Sequence, residues 1–157
     1  DNSKSFDTLK YEINKFEKEI KKKFDVILLL QPTSPFRKKK DFVDGYKLIN
    51  NEKIDSVVSI KEVDNYHPSR MKIIKKEQLI NYSNWKDEFK PLKQLPMIYI
   101  KSGSMYYFKR KNLNKYKSIL GKKTRGIIVK NKYAINIDFQ EDLILTEHYF
   151  KTTKDLL

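Results

Sequence analysis

From residue 5 to residue 23, the apolar side chains Phe6, Leu9, Ile13, Phe16 and Ile20 recur at spacings of three and four. That spacing puts them on one face of an amphipathic helix. The pattern then changes: residues 24–30 form an aliphatic stretch ending in VILLL, which reads as a strand covered on both faces. Residues 31–37 break the strand with two prolines and a Thr-Ser pair. Helical spacing returns over 41–51 through Phe42, Tyr46 and Ile49, and DSVVSI at 55–60 reads as a second buried strand. The order helix, strand, loop, helix, strand is the signature of a βαβ unit, and it predicts an α/β fold with a mostly parallel sheet.

Between residues 66 and 96 the chain becomes more polar, with prolines at Pro68, Pro91 and Pro96. MKIIKKEQLINY, residues 71–82, predicts a hairpin turning near Lys76 and Glu77, an excursion away from the central sheet. The remaining elements are an aromatic strand over 104–109, a short helix over 112–120 closed by Gly121, a strand over 126–130, and a final helix over 139–150 with Leu143, Leu145 and Phe150 on its buried side. The chain opens with a helix before its first strand, and no glycine-rich phosphate loop follows any strand. It therefore reads as starting in the middle of a fold.

Composition narrows the chemistry. A chain of 157 residues is expected to form a single domain, and 13% aromatic residues give it a core despite a charged share of 34%. The run from Val26 to Leu30 is far short of the roughly 20 apolar residues a membrane span needs, and no secretory signal is visible, so a cytoplasmic location is expected. Without cysteine there is no disulfide scaffold, thiolate zinc site or cysteine nucleophile, and two histidines leave little for a histidine metal site. The net charge of +14 would attract phosphates. Only Arg37, Arg70, Arg110 and Arg125 among the 34 basic residues are arginines, and the lysines run evenly along the chain. A nucleic-acid reader concentrates its charge and favours arginine, so a solvated lysine surface is the preferred reading over a polyanion patch.

Four segments could carry chemistry. In LLLQPTSPFR, residues 28–37, an amide, two hydroxyls and a guanidinium follow a buried strand, where open α/β sheets bind ligands; from the residues alone, a proline-bounded turn in which Thr33 and Ser34 make local hydrogen bonds is the preferred reading. In INIDFQED, residues 135–142, an extended backbone would project Asn136 and Asp138 from one face, two oxygen donors able to hold Mg²⁺. The same residues read as a capping box in which Asp138 pairs with Glu141. YHPSR, residues 66–70, offers His67 and Arg70, or an internally bonded loop histidine. In KQLPMIYIKSGSMYY, residues 93–107, Gly103 entering a strand marks either a bulge or a close approach by ligand or backbone.

Together, in this order, these segments resemble the acylneuraminate cytidylyltransferases, the CMP-sialic acid synthetase family. LLLQPTSPFR is similar to that family's most recognisable internal motif, HPSR to its His-Pro-x-basic segment, QLPMIYIKSGSMYY to its Gln-x-Leu-Pro stretch and following strand, and NIDFQEDL to its Asp-x-Asp strand end. The resemblance covers essentially all of this chain and the C-terminal two-thirds of the family's domain. It implies a three-layer αβα sandwich with a mostly parallel Rossmann-like sheet, of the nucleotide-diphospho-sugar transferase type, and a hairpin excursion over 71–95 that serves as a dimerisation arm. It further implies transfer of a cytidylyl group from CTP to a nonulosonic, sialic-acid-like sugar, with release of pyrophosphate and help from Mg²⁺. By position, Gln31 would hydrogen-bond the sugar, Ser34 and Arg37 would shape the loop, Arg70 would reach the acidic sugar, and Tyr106 would line its pocket. Asp138 matches the second carboxylate of the metal pair and is the catalytic candidate, while Asn136 stands in place of the first. Ser102 and Ser104 replace Asn and Ala around Gly103, and Lys93 lies where other members have an arginine. Residues 1–157 are thus expected to be the later part of a cytidylyltransferase domain, dimeric and with little turnover alone. The rival expectations are a basic nucleic-acid-binding module and a non-catalytic, dimerising remnant of the enzyme.

Overall fold

A computed structural model describes residues 5–63, 65–83, 87–130 and 133–152. Helix α1 spans Ser5–Glu19, strand β1 Val26–Leu30, helix α2 Lys39–Ile49 and strand β2 Ser56–Glu62. The excursion follows, with a 3₁₀ turn at Pro68–Arg70, the hairpin strands β3 (Lys72–Lys75) and β4 (Gln78–Asn81), and a second 3₁₀ turn at Leu92–Gln94. Strand β5 (Tyr99–Lys109), helix α3 (Asn112–Lys115), strand β6 (Thr124–Ile128) and helix α4 (Gln140–Thr152) complete the chain.

The main sheet has four strands in the order β1-β5-β2-β6. Strand β5 is antiparallel to both β1 and β2, and β6 is parallel to β2. The fold is therefore α/β with a mixed sheet, which corrects the mostly parallel Rossmann-like sheet expected from the sequence. The physical reason is specific: an all-aliphatic strand reports that both its faces are covered, not the direction of its neighbours. Strands β1 and β2 are parallel through the α2 crossover, but β5, returning from the excursion, inserts between them and makes both of its ladders antiparallel.

Alternation along β1 divides the core. Val26 and Leu28 pack with Ile49 of α2, Val57, Tyr107 and Ile127. Ile27 and Leu29 pack with Ile13, Phe6 and Leu9 of α1, together with Phe108 and Leu113. Helices thus cover β1 on both sides, as an all-apolar strand whose successive side chains point to opposite faces demands. Helix α2 comes close because residue 45 lacks a side chain; a Cβ there would sit 2.5 Å from Cε2 of the Tyr107 ring. Helix α1 is fastened by a bidentate pair in which Arg110 Nε donates to Glu17 Oε1 at 2.8 Å and Nη2 to Oε2 at 3.0 Å. Glu17 Oε1 also accepts from the backbone N–H of Phe24.

Some helix faces differ from the periodic expectation. Phe16 and Tyr46 are exposed, whereas Glu17 and Gly45 are buried. On α4, Leu143, Leu145 and Phe150 face solvent, and Thr146 and Tyr149 make the inward contacts. The helix expected over 112–120 keeps only its first turn, and a backbone with positive φ at Lys117 follows it. The hairpin turns where expected: Lys76 and Glu77 both have positive φ, 48° and 65°, as a two-residue type I′ turn requires. Of the expected arm over 71–95, residues 84–86 lie outside the described residues.

Candidate functional site

Strand β1 ends at Leu30, opposite Met105, so β5 continues past it without a partner on that side. The loop 31–37 folds into the vacated place. Its anchor is Phe36, buried in a cluster with Val129, Tyr133, Ala134 and Ile135. That cluster carries the segment leading to Asn136 and Asp138, and so the proline-rich loop and the acidic tip are held side by side. Their contact is direct: Ile137 N–H donates to Thr33 O at 2.8 Å, and the Thr33 and Ser34 hydroxyls lie 2.6 and 3.2 Å from Asn136 Oδ1.

Gly103 lies against the same cluster. Between Val58, which faces Tyr106, and Ile60, which faces Lys101, the register slips, so Ser59 alone stands opposite the bulged residues 102–105. Gly103 takes φ +84° there, and a Cβ on it would lie 2.7 Å from Gln31 Oε1 and 3.4 Å from Ser34 Oγ. The bulge breaks ladder bonds, and one buried hydroxyl replaces them. Ser59 Oγ accepts from Met105 N–H at 2.9 Å and from the hydroxyls of Ser102 and Ser104 at 2.7 and 3.0 Å. It also donates to Met105 O at 3.2 Å. Sequence reasoning did not single out Ser59. The available signal was a lone hydroxyl inside the apolar run VVSI.

Arg37 lies behind the loop, half-buried, and burial lowers its pKa. Its Nη2 donates to Gln31 O and its Nε to Ser104 O at 3.1 Å, so one guanidinium ties the loop to the bulge. That fork needs arginine's planar, divergent donors. Gln31 is half-buried, Ser34 fully buried and Asp138 exposed.

The structure thus brings Gln31, Ser34, Gly103, Asn136 and Asp138 together with Arg37 behind them. It does not bring Arg70 or Tyr106 into contact with that group. Arg70 is exposed on the 3₁₀ turn Pro68–Arg70. Tyr106 is buried in mid-strand between Leu29 and Val58, and burial raises the pKa of its hydroxyl. Lys93 is exposed on the second 3₁₀ turn. His67 is locked: Nδ1 accepts from the Ser69 backbone N–H at 3.1 Å, and Nε2 lies 3.2 Å from Pro96 O, which can only accept. The proton therefore sits on Nε2, and the ring pins the HPSR turn to the QLP segment.

The capping box is corrected. Asp142, one residue beyond the expected Glu141, accepts from the N–H groups of Asp138 and Phe139, each at 3.0 Å. The Asp138 carboxylate instead accepts from Asn136 Nδ2 at 2.7 Å.

The donor set fits Mg²⁺ only in part. Among the described residues no group of three or more His, Cys, Asp and Glu side chains could hold a metal ion. Asn136 Oδ1 already faces two hydroxyls, so the Asn136–Asp138 pair does not offer two open oxygens. Asp138 Oδ1 has no hydrogen-bond partner among the described residues, and one carboxylate oxygen with water and phosphate oxygens is an acceptable Mg²⁺ shell.

A loop leaving the edge strand β1 and a carboxylate tip meet beside a glycine bulge of β5, which defines an α/β chain with polar groups gathered at one end of its sheet. No family model matches the chain. It is 24% identical over 144 residues to an N-acylneuraminate cytidylyltransferase from Streptococcus agalactiae serotype V, a stretch that is 92% of this chain and 33% of that protein. The chain thus spans about a third of the length of that relative. Among the described residues no helix is long and apolar enough to cross a membrane.

Proposed function

We propose that this chain forms the sugar-side part of a cytidylyltransferase domain, which transfers a cytidylyl group from CTP to the anomeric hydroxyl of an acidic nine-carbon sugar. The observation that carries this reading is the junction of loop and tip: Gln31 and Ser34 lie against Gly103 and Asn136, next to Asp138. The similarity to the streptococcal enzyme points the same way.

In this reaction the sugar oxygen forms a bond to the α-phosphorus of CTP as the bond to pyrophosphate breaks. Catalysis of that kind rests on positioning and charge stabilisation. The Gln31 carboxamide has both donor and acceptor for sugar hydroxyls, and Arg37 holds its backbone still. Asp138 would hold Mg²⁺, which neutralises charge on the phosphates when bound. Arg70 and Tyr106, the other residues that the resemblance assigns to the sugar, do not touch this junction and carry no part of the proposal. A cytoplasmic location would fit a reaction that consumes CTP.

The test is pyrophosphate release from CTP with a panel of nonulosonic acids, run on the 157-residue chain and on an N-terminally extended form. Release dependent on one such acid is expected from the extended form. Gln31→Ala should raise the sugar KM about tenfold, the worth of roughly one good hydrogen bond to a neutral partner, and leave the KM for CTP nearly unchanged. No release with any acid, or unaltered sugar kinetics in the variant, would refute the reading.

The second part of the proposal is that a second copy of this chain covers the excursion. A two-stranded hairpin is marginal in water by itself. Here Ile74 and Leu79 pair on one face at 78% and 67% exposure, and Ile73 and Ile80 on the other at 42% and 38%. Ile74→Lys is expected to shift the protein from dimer to monomer in sedimentation at micromolar concentration. A wild-type protein that is already monomeric there removes this part of the proposal. The basic nucleic-acid reading gains no support, since the lysines lie on every kind of element, from Lys18 on α1 and Lys47 on α2 to Lys75 on β3 and Lys109 on β5.

A further inference from the structure

We infer that Asn136 is a positioning residue and not a metal donor: its carboxamide latches the Asp138 carboxylate to the Thr33–Ser34 turn. The argument begins with the amide's orientation. Asp138 Oδ2 lies 2.7 Å from one end of the Asn136 amide. An ionised carboxylate can only accept, so the end that faces it must be the NH₂ group. The carboxamide oxygen then points the other way, where the hydroxyls of Thr33 and Ser34 donate to it from 2.6 and 3.2 Å. The adjacent bond from Ile137 N–H to Thr33 O holds the two backbones in register at 2.8 Å.

This latch uses both ends of an amide, and aspartate cannot imitate it. A carboxylate at position 136 would keep the two hydroxyl bonds and turn its second oxygen onto Asp138 Oδ2, placing two anions at hydrogen-bond distance without a proton between them. The amide does the opposite: it fixes Asp138 through Oδ2 and leaves Oδ1 outward. Any displacement of the 31–37 loop is passed through Thr33 and Ser34 to that carboxylate. What Asp138 then does chemically rests on the function proposed above; the latch itself does not.

Three variants test it: Asn136→Ala, Asn136→Asp, and the exchange Asn136→Asp with Asp138→Asn. The readout is thermal unfolding near neutral pH. On a chain of net charge +14 an added carboxylate would otherwise ease self-repulsion, so a loss in Asn136→Asp reports the local contact. A fall of roughly 5 °C is expected for it, about what losing one or two such interactions costs a domain of this size. The exchange restores a donor facing an acceptor and should recover at least half of that fall. Asn136→Asp as stable as the parent, or an exchange variant no more stable than Asn136→Asp, would overturn the latch. In the extended form, Asn136→Ala should lower kcat about tenfold with the KM for CTP unchanged, and an unaltered kcat there would overturn the positioning role. The exchange variant should be folded but inactive, because position 138 then lacks its carboxylate. Stability recovered by the exchange in a protein that never transfers a cytidylyl group would sink the proposed function and leave the latch standing.

Discussion

Replacing Arg110 by methionine is expected to cost about 3 kcal/mol of folding stability near neutral pH, at the lower end for removing one partner of a buried ion pair because Arg110 keeps 15% of its side chain exposed. Glu17, whose side chain is 6% exposed beside Arg110, would lose its two guanidinium bonds and keep only the Phe24 N–H as a donor among the described residues. Asn14, whose Oδ1 accepts from Arg110 Nη2, loses a partner as well. Methionine keeps the packing of the stem, so the loss measures charge and hydrogen bonding rather than a cavity.

The pH dependence gives this prediction a sign. The hydrogen bonds from Arg110 lower the Glu17 pKa below its ordinary 4.5, against burial, which raises it. A depressed carboxylate contributes stability that is fully present above the unfolded pKa and is lost as pH falls through the folded one. In the wild type, then, the Glu17 contribution disappears on acidification below about pH 4.5. In Arg110→Met the largest lowering cause is gone, leaving burial, which raises the pKa, opposed only by the Phe24 N–H and the charge of Lys23, so the variant loses less stability on acidification than the wild type. Urea unfolding should show a wide gap between the two proteins at about pH 7 that narrows markedly at about pH 3. A gap of equal width at both would mean that Glu17 does not carry the effect.

The second large effect is expected at the bulge. Gly103→Ala should lower sugar-dependent turnover at least about tenfold, since small displacements of positioning groups carry large rate penalties. Its direct cost to stability should be about 1–2 kcal/mol, the penalty of a left-handed backbone with a Cβ. The steric part falls on the site itself: the new methyl would meet Gln31 Oε1 at 2.7 Å, the flexible end of the residue assigned to the sugar. Gly103→Asn separates the two causes. Asparagine tolerates positive φ better than alanine and still carries the Cβ, so its stability should recover in part while turnover stays low. Full activity in Gly103→Ala would show that the carboxamide of Gln31 does not need its present place.

Several features were legible in the residues alone because they depend on neighbours in the chain. Apolar spacing of three and four located α1 and α2, continuous apolar runs located β1 and β2, and the Lys76–Glu77 turn was placed correctly because a hairpin is a local structure. The loop 31–37 was legible as a rigid turn and Gly103 as a bulge. The exposed faces of α4 were not, since which side of a weakly amphipathic helix is covered depends on what Phe36 and residues 129–137 leave for it to touch. The cap was assigned to the wrong acid, Glu141 and not Asp142, for a similar reason, and the bonds from Thr33 and Ser34 to Asn136 were not legible. Spacing shows which side chains can reach a common place, and it is silent on which of their atoms are already engaged.

The sequence by itself determined the inventory: buried strands without cysteine chemistry, an amide and hydroxyls on a proline-braced turn, carboxylates at a late tip, and a surplus of lysine. Only the tertiary structure decided that β5 runs antiparallel between β1 and β2, and that its bulge, held by Ser59, sets Gly103 beneath Gln31. The reason is physical: a residue's hydrophobicity and spacing fix how much of it must be buried, whereas strand order and hydrogen-bond partners come from competition among segments distant in the chain. Thr33 and Asn136, 103 positions apart, meet only because that competition ended with the loop in the place that β1 left open.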